Sequence, residues 1–171
     1  MVREPEAPMG VVSALVRSAF LVDRTYENAA RDHQLTSQQG QLLCVLMGRP
    51  EEGFGMGELL HVLGLAKSSL TGLVDRSLRR GLVRREADSA DGRAVRVFLT
   101  EEGEKVAEEF YNETVARIAD LTTGLSPAEQ ARLTGLLARL VLENQVPVVF
   151  GEEKAGDPAD SAKSSAESSA E

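Results

Sequence analysis

Between Lys67 and Arg76, hydroxyl and basic side chains share one side of a helical repeat. Lys67, Ser68, Ser69, Thr71 and Arg76 interleave with the apolar Leu70, Leu73 and Val74. Serine and threonine hydroxyls both donate and accept hydrogen bonds, whereas ammonium and guanidinium groups donate and carry charge. A helix with that outward face offers hydrogen bonds to base edges and positive charge to phosphates. Small residues at its N-terminal end let the backbone approach a major groove. Gly72 lies on the same stretch and costs about 1 kcal/mol relative to alanine in a helix interior. Close backbone approach to a duplex, or tight packing beneath neighbouring strands, would each justify that cost. Further along, Asp91-Gly92-Arg93 reads as a hairpin loop. A guanidinium at a hairpin tip is placed for an adjacent minor groove, whose negative potential deepens where the groove narrows. Asp91 cannot approach phosphate favourably, so it is assigned to the turn and to orienting Arg93.

These side chains need a frame, and Met56 to Thr100 describes one. GMGELLHVLGLAKSSLTGLVDRSLRRGLV carries apolar residues at helical spacing, broken at Gly64-Leu65 by a turn short enough for a tight helix–turn–helix. The second helix should begin near Ala66, with Leu70, Leu73, Val74 and Leu78 inward and Lys67, Ser68, Thr71, Gly72, Asp75, Arg76 and Arg79 outward. LVRREADSADGRAVRVFLT then alternates as a strand, turns at Asp-Gly and alternates again. Arg84, Arg85 and Arg96 fall in these strands, where solvation or phosphate positioning is expected rather than base reading. The fold class is therefore mainly α with a small β-hairpin wing, a winged helix–turn–helix.

The stretch LAKSSLTGLVDRSLRRGLVRREADSADGRAVRVFLTEEG resembles the core of the MarR family of bacterial transcription regulators. In that family a Ser/Thr-rich recognition helix leads through a Gly-Leu-Val turn to a wing with Asp-x-Arg and a strand ending in Leu-Thr. The resemblance extends to LTSQQGQLLCVL and, more loosely, over residues 10–144. Gly72 is a departure, since many relatives carry a long, often basic side chain there. The resemblance implies a homodimer built from N- and C-terminal helices, bound as a repressor to a palindromic promoter site in double-stranded DNA. It also implies release by a small anionic or aromatic effector held between the dimerisation helices and the DNA-binding lobe, with Arg17, Phe20 and Arg24 as candidate cleft residues. On this reading Lys67, Ser68, Ser69, Thr71, Gly72, Arg76, Asp91 and Arg93 contact DNA.

The rest of the chain is consistent with that frame. Its 171 residues amount to about one domain, and no run approaches the roughly 18 apolar residues of a membrane span. The start, MVREPEAPMG, lacks the order of a secretion signal, and the one cysteine excludes an internal disulfide and fits a reducing compartment. A cytoplasmic protein is expected. The net charge of −8 looks unsuited to DNA until it is divided. Residues 54–96 hold eight basic and five acidic groups, leaving the excess acid elsewhere. Fields beyond a Debye length of about 8 Å are largely screened at physiological salt, so the local balance decides.

Residues 1–8 are expected to be disordered. A first helix is expected over about residues 9–33, a DNA-binding lobe over about 36–100, and C-terminal helices over 101–144. An appendage and a disordered acidic tail fill 145–171. Within the lobe, Thr36 with Gln39 forms a capping box, and EEGFG reads as a loop. Thr100 caps a long helix reaching about Thr123, and Ser126-Pro127-Ala128-Glu129 opens the last, which runs to about Glu143. Both terminal helices, VVSALVRSAFLV and LTGLLARLVL, are apolar over more than one face. A partner chain would cover the surplus; the alternative is packing of the two helices against each other within one chain.

Three other readings compete with this one. A winged helix that binds protein and never reads sequence should lack basic groups on its wing and recognition helix, which this chain has. A redox-responsive regulator would need Cys44 exposed and near positive charge, but LLCVLM marks it as a core thiol. Metal binding and enzymatic activity find no support. His33 and His61 lie far apart without clustered ligands, and the chain has no phosphate loop, nucleophile elbow or catalytic carboxylate pair. No cofactor is expected.

Overall fold

The Thr36 capping box starts the helix around which the protein packs. Thr36 Oγ1 accepts from the Gln39 backbone N–H at 3.2 Å, and the Gln39 side chain accepts from the Thr36 N–H at 3.1 Å. In the computed structural model, which describes residues 9–88 and 94–147, α1 spans Val11–Asp32 and α2 spans Ser37–Met47. The α2 helix is buried on nearly every face, including Gln39, Gly40 and the run from Leu42 to Leu46. A short strand β1 (Phe54–Gly55) leads into α3 (Met56–Leu63) and α4 (Lys67–Arg79). The strands β2 (Val83–Ala87) and β3 (Val95–Leu99) follow, and then α5 (Glu101–Asp120) and α6 (Pro127–Glu143).

The α5 helix crosses α1 and α2 and closes the core. Phe110 is fully buried and meets Tyr26 edge-on at 5.2 Å. Gly40 makes this crossing close, because a Cβ there would stand 2.6 Å from Phe110 Cζ. Polar pairs lock the end of α1 to α5: His33 Nε2 lies 2.6 Å from Glu113 Oε2, and Arg117 donates to Asp32 at 2.6 Å. Thr100 caps α5 as expected, with Oγ1 accepting from the Gly103 N–H at 2.9 Å. The helix stops at Asp120, short of Thr123, where Thr122 and Thr123 turn their hydroxyls back onto the Ala119 and Asp120 carbonyls.

The wing is a three-stranded antiparallel sheet of order β1-β3-β2, not a bare hairpin. Val83 pairs with Leu99 and Phe54 with Val97, and these inward side chains join the core beside Leu59, Leu70 and Leu73. The expected loop EEGFG thus contains a strand. Two residues are too few to show alternation, and this strand forms only because β3 is there to pair with it. Gly53, at φ +59°, turns the chain so tightly that a Cβ would lie 2.7 Å from the Val97 carbonyl oxygen. The hairpin base closes with Asp88 N–H donating to Ala94 O at 2.9 Å. The expectations for residues 1–8, for the tip with Asp91 and Arg93, and for 148–171 lie outside the described residues.

The terminal helices do not pack against each other within the chain. Only Ala29 and Ala30 are buried in α1, and no residue of α6 is. Val11 and Val12 are 72% exposed, Phe20 71% and Leu136 56%, with Leu15, Val16, Leu137, Leu140 and Val141 also exposed. Such side chains gain about 1.5–3 kcal/mol each on full burial, so this surface is costly to leave wet.

Candidate nucleic-acid interface

The recognition helix is seated as its pattern requires. Gly64, at φ +62°, ends α3 in a left-handed cap with its N–H on Leu60 O at 3.1 Å, and α4 begins after two intervening residues. Leu70, Leu73 and Val74 are wholly buried against the sheet and α3. Ser77 is also buried, which the pattern did not reveal; its hydroxyl is satisfied by the Leu73 carbonyl at 3.0 Å. Lys67, Ser68, Ser69, Thr71, Arg76 and Arg79 are all exposed, and Gly72 is half-buried. The predicted contact residues of this helix therefore share one open face.

Its N-terminus differs from that of its neighbours. Thr36 and Thr100 accept from first-turn N–H groups of α2 and α5, and Glu58 and Glu129 accept from the cap N–H groups of α3 and α6, whereas α4 has Ala66 at its cap and no side-chain cap hydrogen bond. The orphan N–H groups beside Ser68 and Ser69 face outward with the positive end of the helix dipole, an arrangement that favours an anion. Thr71 donates its hydroxyl to Lys67 O at 2.9 Å. In that rotamer it presents lone pairs and a methyl group, suited to a base amino group or a thymine methyl. A Cβ on Gly72 would meet only Arg76 Nη1, at 3.2 Å, the far end of a flexible side chain. Packing beneath the wing therefore does not explain this glycine.

Pairing sorts the cations, and here the sequence reading needs correction. Arg96 is not free for phosphate. Its Nε donates to Glu52 O at 2.6 Å and its Nη2 to Gly53 O at 2.9 Å, while Asp88 and Glu58 lie at 3.2 and 3.4 Å. It is a strut joining β1, β3 and α3. Arg85 pairs with Asp75 of α4 at 2.8 Å, tying the wing to the recognition helix. Arg84 pairs with Glu86 and lies over the Phe98 ring at 4.6 Å. Among the described residues of this lobe, Lys67, Arg76 and Arg79 have no carboxylate partner. The unneutralised charge thus belongs to the recognition helix, and Arg79 joins the expected set through its i,i+3 spacing from Arg76.

Two other sets of residues, the candidate cleft side chains of α1 and the core thiol of Cys44, take definite places. The concavity of about 400 Å³ between α1, α2 and α5 is lined by residues including Asp23, Tyr26, Glu27 and Ile118, and by none of Arg17, Phe20 or Arg24. Those three lie on other sides of α1, where helical rotation from the core-facing Ala29 and Ala30 puts Phe20 on the exposed apolar face. Cys44 is buried, and burial pushes its thiol up to about 12, against a smaller lowering by a hydrogen bond with Tyr26. A thiol so placed holds almost no thiolate at neutral pH, which removes the basis for a redox switch there.

Comparison with known proteins agrees with this architecture. Residues 33–94 match the model of the MarR family. The uncharacterized HTH-type transcriptional regulator YkoM of Bacillus subtilis is 35% identical over 143 residues, 83% of this chain and 91% of its own length. The chain belongs to the MarR family. Its family relatives include the HTH-type transcriptional repressor NicR of Pseudomonas putida, 30% identical over 76% of this chain and 82% of NicR. The fold is that of the transcriptional repressor CouR, solved bound to a 23-mer DNA duplex, with a TM-score of 0.67 and 25% identity over 80% of this chain and 99% of CouR. As a MarR-family helix–turn–helix protein, this chain is a DNA-binding transcription regulator. Among its described residues, no helix is long and apolar enough to cross a membrane.

Proposed function

We propose that the protein acts as a homodimer that reads a palindromic operator and represses by occluding the promoter. The observation that carries this reading is the outward face of α4, which joins an uncapped first turn to exposed hydroxyls and unpaired cations. Ser68, Ser69 and Thr71 enter the major groove and discriminate bases, Gly72 lets the backbone approach, and Lys67 and Arg76 bind phosphate or guanine. Arg93, carried on the hairpin closed at Asp88 and Ala94, reaches the adjacent minor groove with Asp91 orienting it. The apolar faces of α1 and α6 supply the dimer contact, and two-fold symmetry then sets half-site centres about 10 base pairs apart. A small effector that prefers one separation of the two recognition helices would release the operator by that preference alone. A winged helix that binds only protein has no use for an uncapped, unneutralised recognition helix.

The test is selection of genomic fragments by the purified full chain, followed by titration of the selected site. A palindrome is expected, and insertion of five base pairs at its centre should abolish tight binding by rotating one half-site to the opposite face. Retention of no fragment, or equal affinity for the spaced site, would overturn the proposal.

A further inference from the structure

A shallow concavity of about 460 Å³ lies between the α1–α2 turn and the far end of the recognition helix, lined by Gln34, Gln39, Arg76, Arg79 and Arg80. Three of its five lining side chains are guanidinium groups, and none is a carboxylate. Arg80 is held in place, with Nη1 donating to the Gln34 carbonyl at 2.6 Å and reaching Gln39 Oε1 at 3.4 Å. Gln34 itself has a left-handed backbone, at φ +57°, which belongs to the tight turn that presents this carbonyl. Among the described residues Arg76 and Arg79 have no carboxylate partner and remain free to close on an anion.

Gln39 adds a neutral donor to the lining. It is 4% exposed, and its amide oxygen is already engaged by the Thr36 N–H and by Arg80. The same side chain lines the concavity and turns its amide nitrogen, a donor, to the remaining side. An oxyanion seated among these arginines would give the Gln39 amide an acceptor as well.

We propose that this concavity binds one backbone phosphate of the duplex, outside the bases read by the first turn of α4. The inference rests on the DNA-binding reading above and extends it to a phosphate contact made at the far end of the helix. Helical rise places Arg76 and Arg79 about 14–18 Å along the axis from Lys67, farther than the roughly 12 Å width of a major groove. With the first turn in the groove, this end of the helix lies over the sugar–phosphate strand that borders it. The site fixes the angle at which α4 enters, because it couples the helix to the α1–α2 turn through Arg80.

Arg79→Gln tests the site, since Arg79 is exposed and unpaired and its loss leaves the fold untouched. Wild type and variant are titrated at several salt concentrations against the operator, a half-site variant, and a set of operators each carrying one neutral methylphosphonate. The variant should bind operator and half-site variant more weakly by the same factor, about ten-fold, with a salt slope smaller by about one and an unchanged melting temperature. One methylphosphonate flanking the half-site should weaken wild type but not Arg79→Gln. Unchanged affinity and slope, or the absence of any position whose effect disappears in the variant, would overturn the phosphate site while leaving the regulator reading intact. Failure of the wild type to bind any duplex would overturn both.

Discussion

Arg96→Ala separates an arginine that holds the fold from those available to DNA. Two of its hydrogen bonds run from a charged donor to main-chain carbonyls, those of Glu52 and Gly53, at 2.6 and 2.9 Å. Each such bond contributes about 1.5–3 kcal/mol when well buried. The Arg96 side chain is 25% exposed, so the lower end applies, and the freed carbonyls can recover water. The contacts with Asp88 and Glu58, at 3.2 and 3.4 Å, are partly solvated pairs that add about 0–1 kcal/mol together. The expected loss is about 2–3 kcal/mol. For a chain of this size that lowers the melting temperature by roughly 4–12 °C, measured at fixed protein concentration because an associating protein's midpoint depends on it. Arg96→Lys should recover less than half, since a single ammonium cannot serve Glu52, Gly53 and Asp88 from one rigid fork. Below the melting range, the salt slope of operator binding should match wild type. A variant that melts within about 2 °C of wild type and loses about one unit of salt slope would refute the reasoning, and would make Arg96 a phosphate contact instead.

Replacing Leu136 and Leu140 together by glutamate should give a monomer in sedimentation, with little effect on the subunit's own fold because both side chains are exposed in it. A persistent dimer would remove α6 from the interface. Gly103→Ala should destabilise by about 2–3 kcal/mol, because its Cβ would stand 1.8 Å from the Leu82 carbonyl oxygen. Gly57→Ala, which meets nothing within 4 Å in α3, should instead stabilise by about 0.5–1 kcal/mol; urea midpoints of the two variants check both signs. The Gly55 backbone N–H, aided by Arg49 and Arg96, holds the Glu58 carboxyl below the usual glutamate range. A lowered folded-state pKa means the stabilisation is complete above about pH 4.3 and fades as pH falls through the lowered value. Urea midpoints between pH 6 and 3 should therefore fall less steeply for Glu58→Gln than for wild type. Cys44 should resist an aromatic disulfide reagent at pH 8 in the folded protein and react at once in denaturant, whereas rapid labelling of the native state would show an accessible thiolate.

Local chemistry determined much of this protein directly from its sequence. Thr36, Thr100 and Ser126 start helices wherever they stand, because a cap is completed within four residues. The inward set Leu70, Leu73 and Val74 follows from helical period alone, and with it the outward face that carries Lys67, Ser68, Ser69, Thr71 and Arg76. The surplus apolar faces of α1 and α6 are equally local facts. What the tertiary structure decided is which charges remain free. Arg84, Arg85 and Arg96 read like Arg76 and Arg79 in the sequence, yet Arg96 is taken up by the carbonyls of Glu52 and Gly53, more than forty residues away in the chain. The strand that presents those carbonyls is two residues long and exists only in the presence of β3. The oxyanion concavity has the same origin, since Gln34 and Gln39 meet Arg80 only once α2 and α4 are packed. Hydrophobic period and capping act over single turns and are legible one residue at a time. Hydrogen-bond partners for charged groups are chosen across the whole fold, so that choice is made only when the chain has closed.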